Sequence, residues 1–462
     1  MSEKIINAFP GYEFTRIDGH GKPQNMYRGE NLGFGGYIRS NPGIYTNVAL
    51  LDVRSLHPSS IVAMNMFGDY TEHFKDILDA RIAIKEGDYD KARHMLDGRL
   101  APYLDDESKA KDLAQALKIA INSVYGLTAA NFDNPFKDPR NTNNIVALRG
   151  ALFMKTLQDE VEAKGYTIVA IKTDSIKVAN ADKDIVDFCM KFAEKYSYVF
   201  EFEAVYDRMC QVNDADYIAY YASPESCESV YGFVPSDNKR HAGEWTATGA
   251  QFAQPFVFKT LFSHEPITFE DLCETRSVKT ALYLDMNEGL TQNPEAEKEL
   301  ANREFNAKQT DPSKYRRLNP DFVTDTAEDL RAAIAKGHAY KFVGRVGQFC
   351  PIKEGCGGGL LVREKDGKYY AAANSKGYRW LESEMVKTLK REDDINIRYF
   401  QNLVDEAITD ISEYGDFEWF ASADTDPESN PPWCTTPEIK DPDISQCEKC
   451  QECDSCAVVN AA

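Results

Sequence analysis

The sequence lacks any uninterrupted apolar run approaching the roughly 20 residues that a membrane helix needs, and its start, MSEKIINAFPGYEF, lacks the apolar stretch of a secretion signal. These absences argue against a membrane protein and against export, and make a cytoplasmic protein the expectation. Basic charge is scarce: 53 Lys and Arg face 74 Asp and Glu, for a formal net charge of −21. Such a balance speaks against an indiscriminate binder of polyanions, which attract Lys and Arg. The deficit is uneven, however. From Arg391 onward there are 18 Asp and Glu against 4 Lys and Arg, which leaves only −7 on the first 390 residues and allows a basic groove there. Eleven cysteines without a secretion signal read as reduced thiols or metal ligands rather than a disulfide framework. What is present in quantity is core: 43% hydrophobic residues over 462 positions suit a folded chain of two to four domains.

The segment NVALLDV at 47–53 is short, apolar and rich in strand formers, so it predicts a buried strand with Asp52 near its end. A carboxylate there needs a cation, a hydrogen-bond network or water. Helical patterns follow from Phe74 to about Arg99 and from Ser108 to Val124, broken by APYLDDE, which predicts a helical hairpin. In its second arm Leu113, Leu117, Ala120, Ile121 and Val124 form an apolar stripe, while Lys118, Asn122 and Tyr125 share another face. A third helix over about 144–163 leads into YTIVAI, KTDS and IKVAN, a β-hairpin with Asp174 at its tip. Strands are expected in FEFEAVY and DYIAYYA. Beyond Gly249 the texture turns helical and charged as far as Gly337, then GLLVREKDGKYYAAAN predicts a hairpin, and a helix is expected near Trp380–Lys390. The tail after Glu418 reads as irregular.

Three motifs carry chemistry. A pair of carboxylates can hold two hard cations about 4 Å apart, which suits phosphoryl transfer, where alignment and charge neutralisation do most of the work. Asp52 and Asp174 are the candidates. LDVRSLHPSSI at 51–61 resembles the first polymerase motif of family B DNA polymerases, KIAINSVYG at 118–126 resembles their second, and KTDS at 172–175 their third, in family order and spacing. For each single motif the plainer reading is a strand-end or turn aspartate; together they are specific. The resemblance covers residues 35 to about 250. It implies an α+β fold with right-hand architecture: an N-terminal extension at 1–34, an antiparallel-sheet palm at 35–73 and 131–248, helical-hairpin fingers at 74–130, and a mainly helical thumb at 249–337. A hairpin-and-helix region at 338–418 and an acidic Cys-rich tail at 419–462 complete the expected layout.

Carried over residue by residue, the resemblance implies that Asp52 and Asp174 bind two Mg2+ ions with the carbonyl of Val53. Ser55, Leu56 and His57 are then expected near the triphosphate and sugar of a dNTP, Lys118 and Asn122 facing it, and Tyr125 near the nascent base pair. Arg81 and Lys85, four residues apart, resemble the basic pair that grips the triphosphate; the alternative is a solvated basic face. Glu203 resembles an acid near the metals, against the alternative of a strand glutamate paired with a base. Three departures matter. His57 replaces the usual tyrosine that excludes a 2′-hydroxyl. Lys172 replaces the first aspartate of the third motif and is free to point at DNA phosphate. DADYIAYY keeps Tyr217 but not the lysines that hold primer–template DNA.

About 50 residues precede the first motif, too few for the family's exonuclease domain. A separate exonuclease or other replication proteins are therefore expected partners, as in phage-type replication in a host cytoplasm. In the tail, Cys447, Cys450, Cys453 and Cys456 recur every third residue, a density that suits Zn2+ or an iron–sulfur cluster with help from Cys434. The competing view is a flexible acidic tail with redox-sensitive thiols. Cys350 and Cys356 are expected to flank a loop. Two other functions stay open: a catalytically weakened polymerase-fold scaffold subunit, and an RNA-making transferase suggested by His57.

Overall fold

The computed structural model of the chain describes residues 3–16, 23–141, 144–285, 340–365, 368–373 and 375–422. Two compact units divide it, one formed by Met1–Gly249 with Ile411–Ala462, the other by Ala250–Asp410. Both mix helices with antiparallel sheets, so the α+β class holds.

In the first unit, helix α1 (Glu3–Ala8) and a small sheet of β1 (Glu13–Arg16), β2 (Pro23–Tyr27) and β3 (Glu30–Asn31) precede the main sheet. That sheet contains β4 (Ile38–Ser40), β5 (Gly43–Val53), β6 (Thr167–Lys172), β7 (Ser175–Ala179), β8 (Phe200–Gln211), β9 (Tyr217–Tyr221) and β10 (Trp245–Thr248). Its spatial order is β10-β9-β8-β5-β7-β6-β4, antiparallel throughout. The central strand is β5, where the alternation of VALLDV sends Ala49, Leu51 and Val53 to one face and Val48, Leu50 and Asp52 to the other.

Between β5 and β6 the chain runs through helices α2 (Leu56–Ala63), α3 (Thr71–Lys85), α4 (Tyr89–His94), α5 (Glu107–Thr128) and α6 (Ile145–Ala163). The expected helix over 74–99 is interrupted. Gly87, at φ +78°, turns the chain after Lys85, and α4 starts anew on an Asp88 cap that accepts from the Lys91 backbone N–H. Helix α5 follows its apolar stripe except at Ala120, which is exposed. Helix α6, apolar almost all round, is buried from Ile145 to Gln158 and again at Val161, and it packs with α7 (Lys183–Glu194) into the core under the Leu51 face of the sheet. Of the two cations it buries, Lys155 pairs with Glu30 and Asp159 at 2.7 and 2.8 Å, while Arg149 donates through Nη2 to the Tyr196 carbonyl at 2.7 Å and lies over the Tyr198 ring, its Nη1 left without a hydrogen bond. Helices α8 (Pro224–Tyr231) and α9 (Ser236–His241) follow β9, and the short helix Phe417–Ala421 lies where an irregular tail was expected.

The second unit departs from the mainly helical expectation for 249–337. After α10 (Pro255–Phe258), its described part continues into a long strand, β11 (Glu274–Asp285); the rest, 286–339, lies outside the described residues. The β-branched and aromatic run SVKTALYL favours a half-buried strand once partners exist on both sides. Those partners are β12 (Tyr340–Ile352) and β13 (Leu360–Lys365), within a sheet ordered β14-β13-β11-β12-β15, where β14 is Lys368–Ala371 and β15 is Arg379–Glu382. The hairpin of β13 and β14 agrees with expectation. Trp380, however, sits on β15, and the helix expected around it is only Ser383–Thr388. Cys350 is likewise a buried residue of β12, not a loop flank, with its Sγ 3.6 Å from that of Cys273. Phe349, Trp380, Tyr399 and Phe400 fill the core of this unit. Among the described residues no helix is long and apolar enough to cross a membrane. Cys434 and the four tail cysteines lie outside the described residues.

Candidate active site

The hairpin of β6 and β7 turns at Thr173 and Asp174, and Thr173 has φ +62°, a left-handed conformation that makes the turn tight. Two main-chain bonds fix it. Thr173 N donates to the Tyr37 carbonyl at 2.9 Å, and Val53 N donates to the Asp174 carbonyl at 2.7 Å. Gly36, at φ +139°, lies against this turn so closely that a Cβ there would come within 2.8 Å of Thr173 Oγ1. The sheet thus holds the tip of one hairpin against the end of β5. Asp52 pairs with Ser175, one residue beyond Asp174.

On the other side of β5 lies β8, whose register slips by one. Leu50 pairs with Ala204 but Leu51 with Phe202, which makes Glu203 the extra residue of a bulge. Without the slip Phe202 would stand opposite Asp52; with it, Glu201 does. Four carboxylates therefore meet around the end of β5: Asp52, Asp174, Glu201 and Glu203.

They open into a cleft of about 480 Å³ whose walls also carry Val53, Arg54, Ser55, Leu56, His57, Arg81, Lys85, Lys118, Asn122 and Tyr125. The first wall is the chain between β5 and α2, where Ser55 takes φ +54° and receives a hydrogen bond from Arg81 Nη1 at 3.3 Å. Leu56 is 3% exposed and belongs to the core, so what it offers the cleft is backbone. The second wall is α3 and α5, with Lys118 and Asn122 exposed one turn apart. Between the walls, His57 and Tyr125 stack at 4.3 Å with an interplanar angle of 19°. Burial holds the His57 imidazolium below its ordinary range, and its buried Nδ1 has no partner.

Electrostatics divides the four acids. Lys85 Nζ donates to Glu201 Oε2 at 2.7 Å and Arg54 Nε to Glu201 Oε1 at 2.9 Å; these contacts outweigh burial and keep Glu201 below the usual carboxylate range. Asp52 is pushed up to about 8, by burial first and then by Asp174, Glu203 and Glu201. Burial raises Asp174 as well, and Glu203 is raised by burial and by Asp237 and Glu201. At neutral pH a proton on Asp52 relieves this crowding, and a divalent cation would take that proton's place. Among the described residues no three His, Cys, Asp or Glu side chains form a ready-made cage.

Over 272 residues the chain is 25% identical to DNA polymerase II of Escherichia coli (strain K12), a match covering 50% of this chain and 33% of that protein. The solved family B DNA polymerase of the hyperthermophilic archaeon Pyrobaculum calidifontis is similar at 13% identity and a TM-score of 0.37, over 81% of this chain and 46% of that one. Over half its length the chain is similar in sequence to a DNA polymerase. No family model matches it. The chain spans about a third of the length of the bacterial polymerase that it matches.

Of the residues singled out from the polymerase motifs, Asp52, Val53, Ser55, Leu56, His57, Lys118, Asn122, Tyr125 and Asp174 come together in the cleft, as do Arg81, Lys85 and Glu203. Lys172 and Tyr217 do not line it. Lys172 is an exposed residue at the end of β6, and Tyr217 opens β9. Sequence reasoning missed Glu201 and Arg54. The signal was available for Glu201: in EFE two acids two residues apart share a strand face.

Proposed function

We propose that this chain is a template-directed DNA polymerase that adds dNTPs to a primer 3′ end by two-metal phosphoryl transfer. The observation that carries this reading is the main-chain clamp from Val53 to Asp174, which brings two carboxylates from motifs 122 positions apart to the mouth of one cleft lined by Arg81, Lys85 and Lys118. Asp52, Asp174 and the Val53 carbonyl would hold two Mg2+ ions, which supply activation of the primer hydroxyl and neutralisation of the leaving pyrophosphate. Arg81, Lys85 and Lys118 bind the triphosphate. Lys85 reaches it by exchanging its Glu201 partner for phosphate oxygens, while Arg54 stays on Glu201 and holds that acid in place. The Tyr125 ring, pinned by its hydroxyl to Asn144 Oδ1 at 3.1 Å, sits beside the nascent base pair. His57, stacked on Tyr125, lies under the sugar and narrows the room for a 2′-hydroxyl. In this reading the main sheet is the palm, α3 to α5 the fingers and the second unit includes the thumb.

Primer extension with Mg2+ and all eight nucleotides tests this. Template-directed addition of deoxynucleotides is expected, with ribonucleotides used less well. Absence of any incorporation on an annealed primer–template would refute the reading and favour a DNA-binding scaffold. Equal use of both sugars would remove His57 as a gate.

A further inference from the structure

The cleft leaves one buried cation unused. On the Asp52 face of the main sheet, β7 sets Ser175 beside Asp52 and Lys177 beside Leu50. The apolar cluster on this face, which includes Val48, Leu50, Val169, Tyr206 and Tyr221, is drawn from strands alone, whereas α6 and α7 fill the cluster on the opposite face. Lys177 is 6% exposed, and its Nζ lies 4.3 Å from the centroid of the Tyr217 ring. Among the described residues it makes no hydrogen bond or ion pair. Burial, with Lys172, pushes its ammonium down to about 8, and only Asp52 and Glu203 pull the other way. A lysine so placed is costly unless an anion meets it.

We propose that Lys177 Nζ binds a backbone phosphate of the primer strand within its last few nucleotides, with the Tyr217 ring steering the ammonium. This rests on the polymerase reading. A primer whose 3′ end meets Asp52 and Asp174 must run along this sheet face. Lys177 lies three residues from Asp174, roughly 10 Å at 3.3 Å per residue, or about three nucleotide steps. β9, in DADYIAYY, carries no lysine of its own. The cation comes instead from β7 and is presented through Tyr217, the aromatic residue that β9 does keep.

The test is equilibrium binding of a labelled primer–template to the full chain across a salt series, for wild type, Lys177→Met and Lys177→Arg. Methionine suits the apolar surroundings and removes only the charge. Loss of one phosphate contact lowers the slope of log K against log salt by about 0.9 and weakens binding about threefold to tenfold at moderate salt, while arginine keeps the slope. The loss appears in primer–template binding more than in the KM for dNTPs. An unchanged slope in Lys177→Met overturns the proposal. So does a fall in melting temperature in Lys177→Met without a change in slope, which assigns the lysine to balancing the acids. If the wild type extends primers and Lys177→Met keeps its slope, only this inference fails; if the wild type binds no primer–template, the polymerase reading fails with it.

Discussion

Replacing Asp52 by Asn should stabilise the metal-free protein, an unusual outcome for a buried polar position and one whose pH dependence can be worked out. Asp52 titrates near 8 in the fold against an ordinary 3.8. For an acid whose folded pKa is raised, folding carries no cost below the unfolded pKa. The cost grows as pH rises from 3.8 and levels off above about 8. At pH 7 the window spans roughly three units, nominally about 4 kcal/mol; halving it for solvent at the open mouth of the cleft leaves about 2 kcal/mol. Asparagine keeps the shape and removes the charge. In EDTA at pH 7 to 8, Asp52→Asn should therefore melt about 3 °C above wild type, and the two curves should converge at pH 4. Adding Mg2+ should raise the wild-type melting temperature and leave the variant nearly where it was. Scanning calorimetry at pH 4, 6 and 8, with and without Mg2+, checks all of this. A variant less stable than wild type at pH 8, or a difference that does not depend on pH, would refute the account of four crowded carboxylates.

Other expectations are narrower. Asp174→Asn should abolish extension, whereas Lys172→Asp should reduce it without abolishing it; gel-based primer extension separates the two. Lys85→Ala removes both a phosphate contact and a Glu201 partner, and should raise the KM for dNTPs by at least about tenfold, roughly 1.4 kcal/mol of binding, with little change in primer–template affinity. Gly36→Val should drive a side chain into Thr173 and displace the Asp174 turn, cutting kcat by at least about tenfold while the melting temperature falls only modestly. His57→Ala should increase ribonucleotide use relative to deoxynucleotide use, measured as a ratio of kcat/KM.

The strand and hairpin that carry Asp52 and Asp174 were legible because their signals are local: an apolar run with strand formers, and a polar turn between two more. The helix bearing Lys118 and Asn122 was legible for the same reason, since its spacing is a property of the helix alone. The role of Glu201 was not. FEFEAVY alternates with period two whether or not a bulge is present, and only pairing with β5 decides that Glu201, not Phe202, stands across from Asp52. Strand β11 was not legible because Glu274, Arg276 and Lys279 interrupt its apolar alternation and its partners lie far along the chain. The break at Gly87 was visible in the sequence but was outweighed by a helical pattern that resumed beyond it.

The bulge at Glu203 sets a limit on how this site can change. Substitutions near the cleft alter one side chain at a time, and the main-chain bond from Val53 to Asp174 keeps the carboxylates in place whatever stands at 57 or 172. Loss of a single residue at 203 is a different event. It would leave Phe202 across from Leu51 and Glu201 across from Asp52, but remove the Glu203 carboxylate and the local twist that the bulge gives β8. The bulge thus gives the site a fourth carboxylate that a regular strand with the same pairs would not carry.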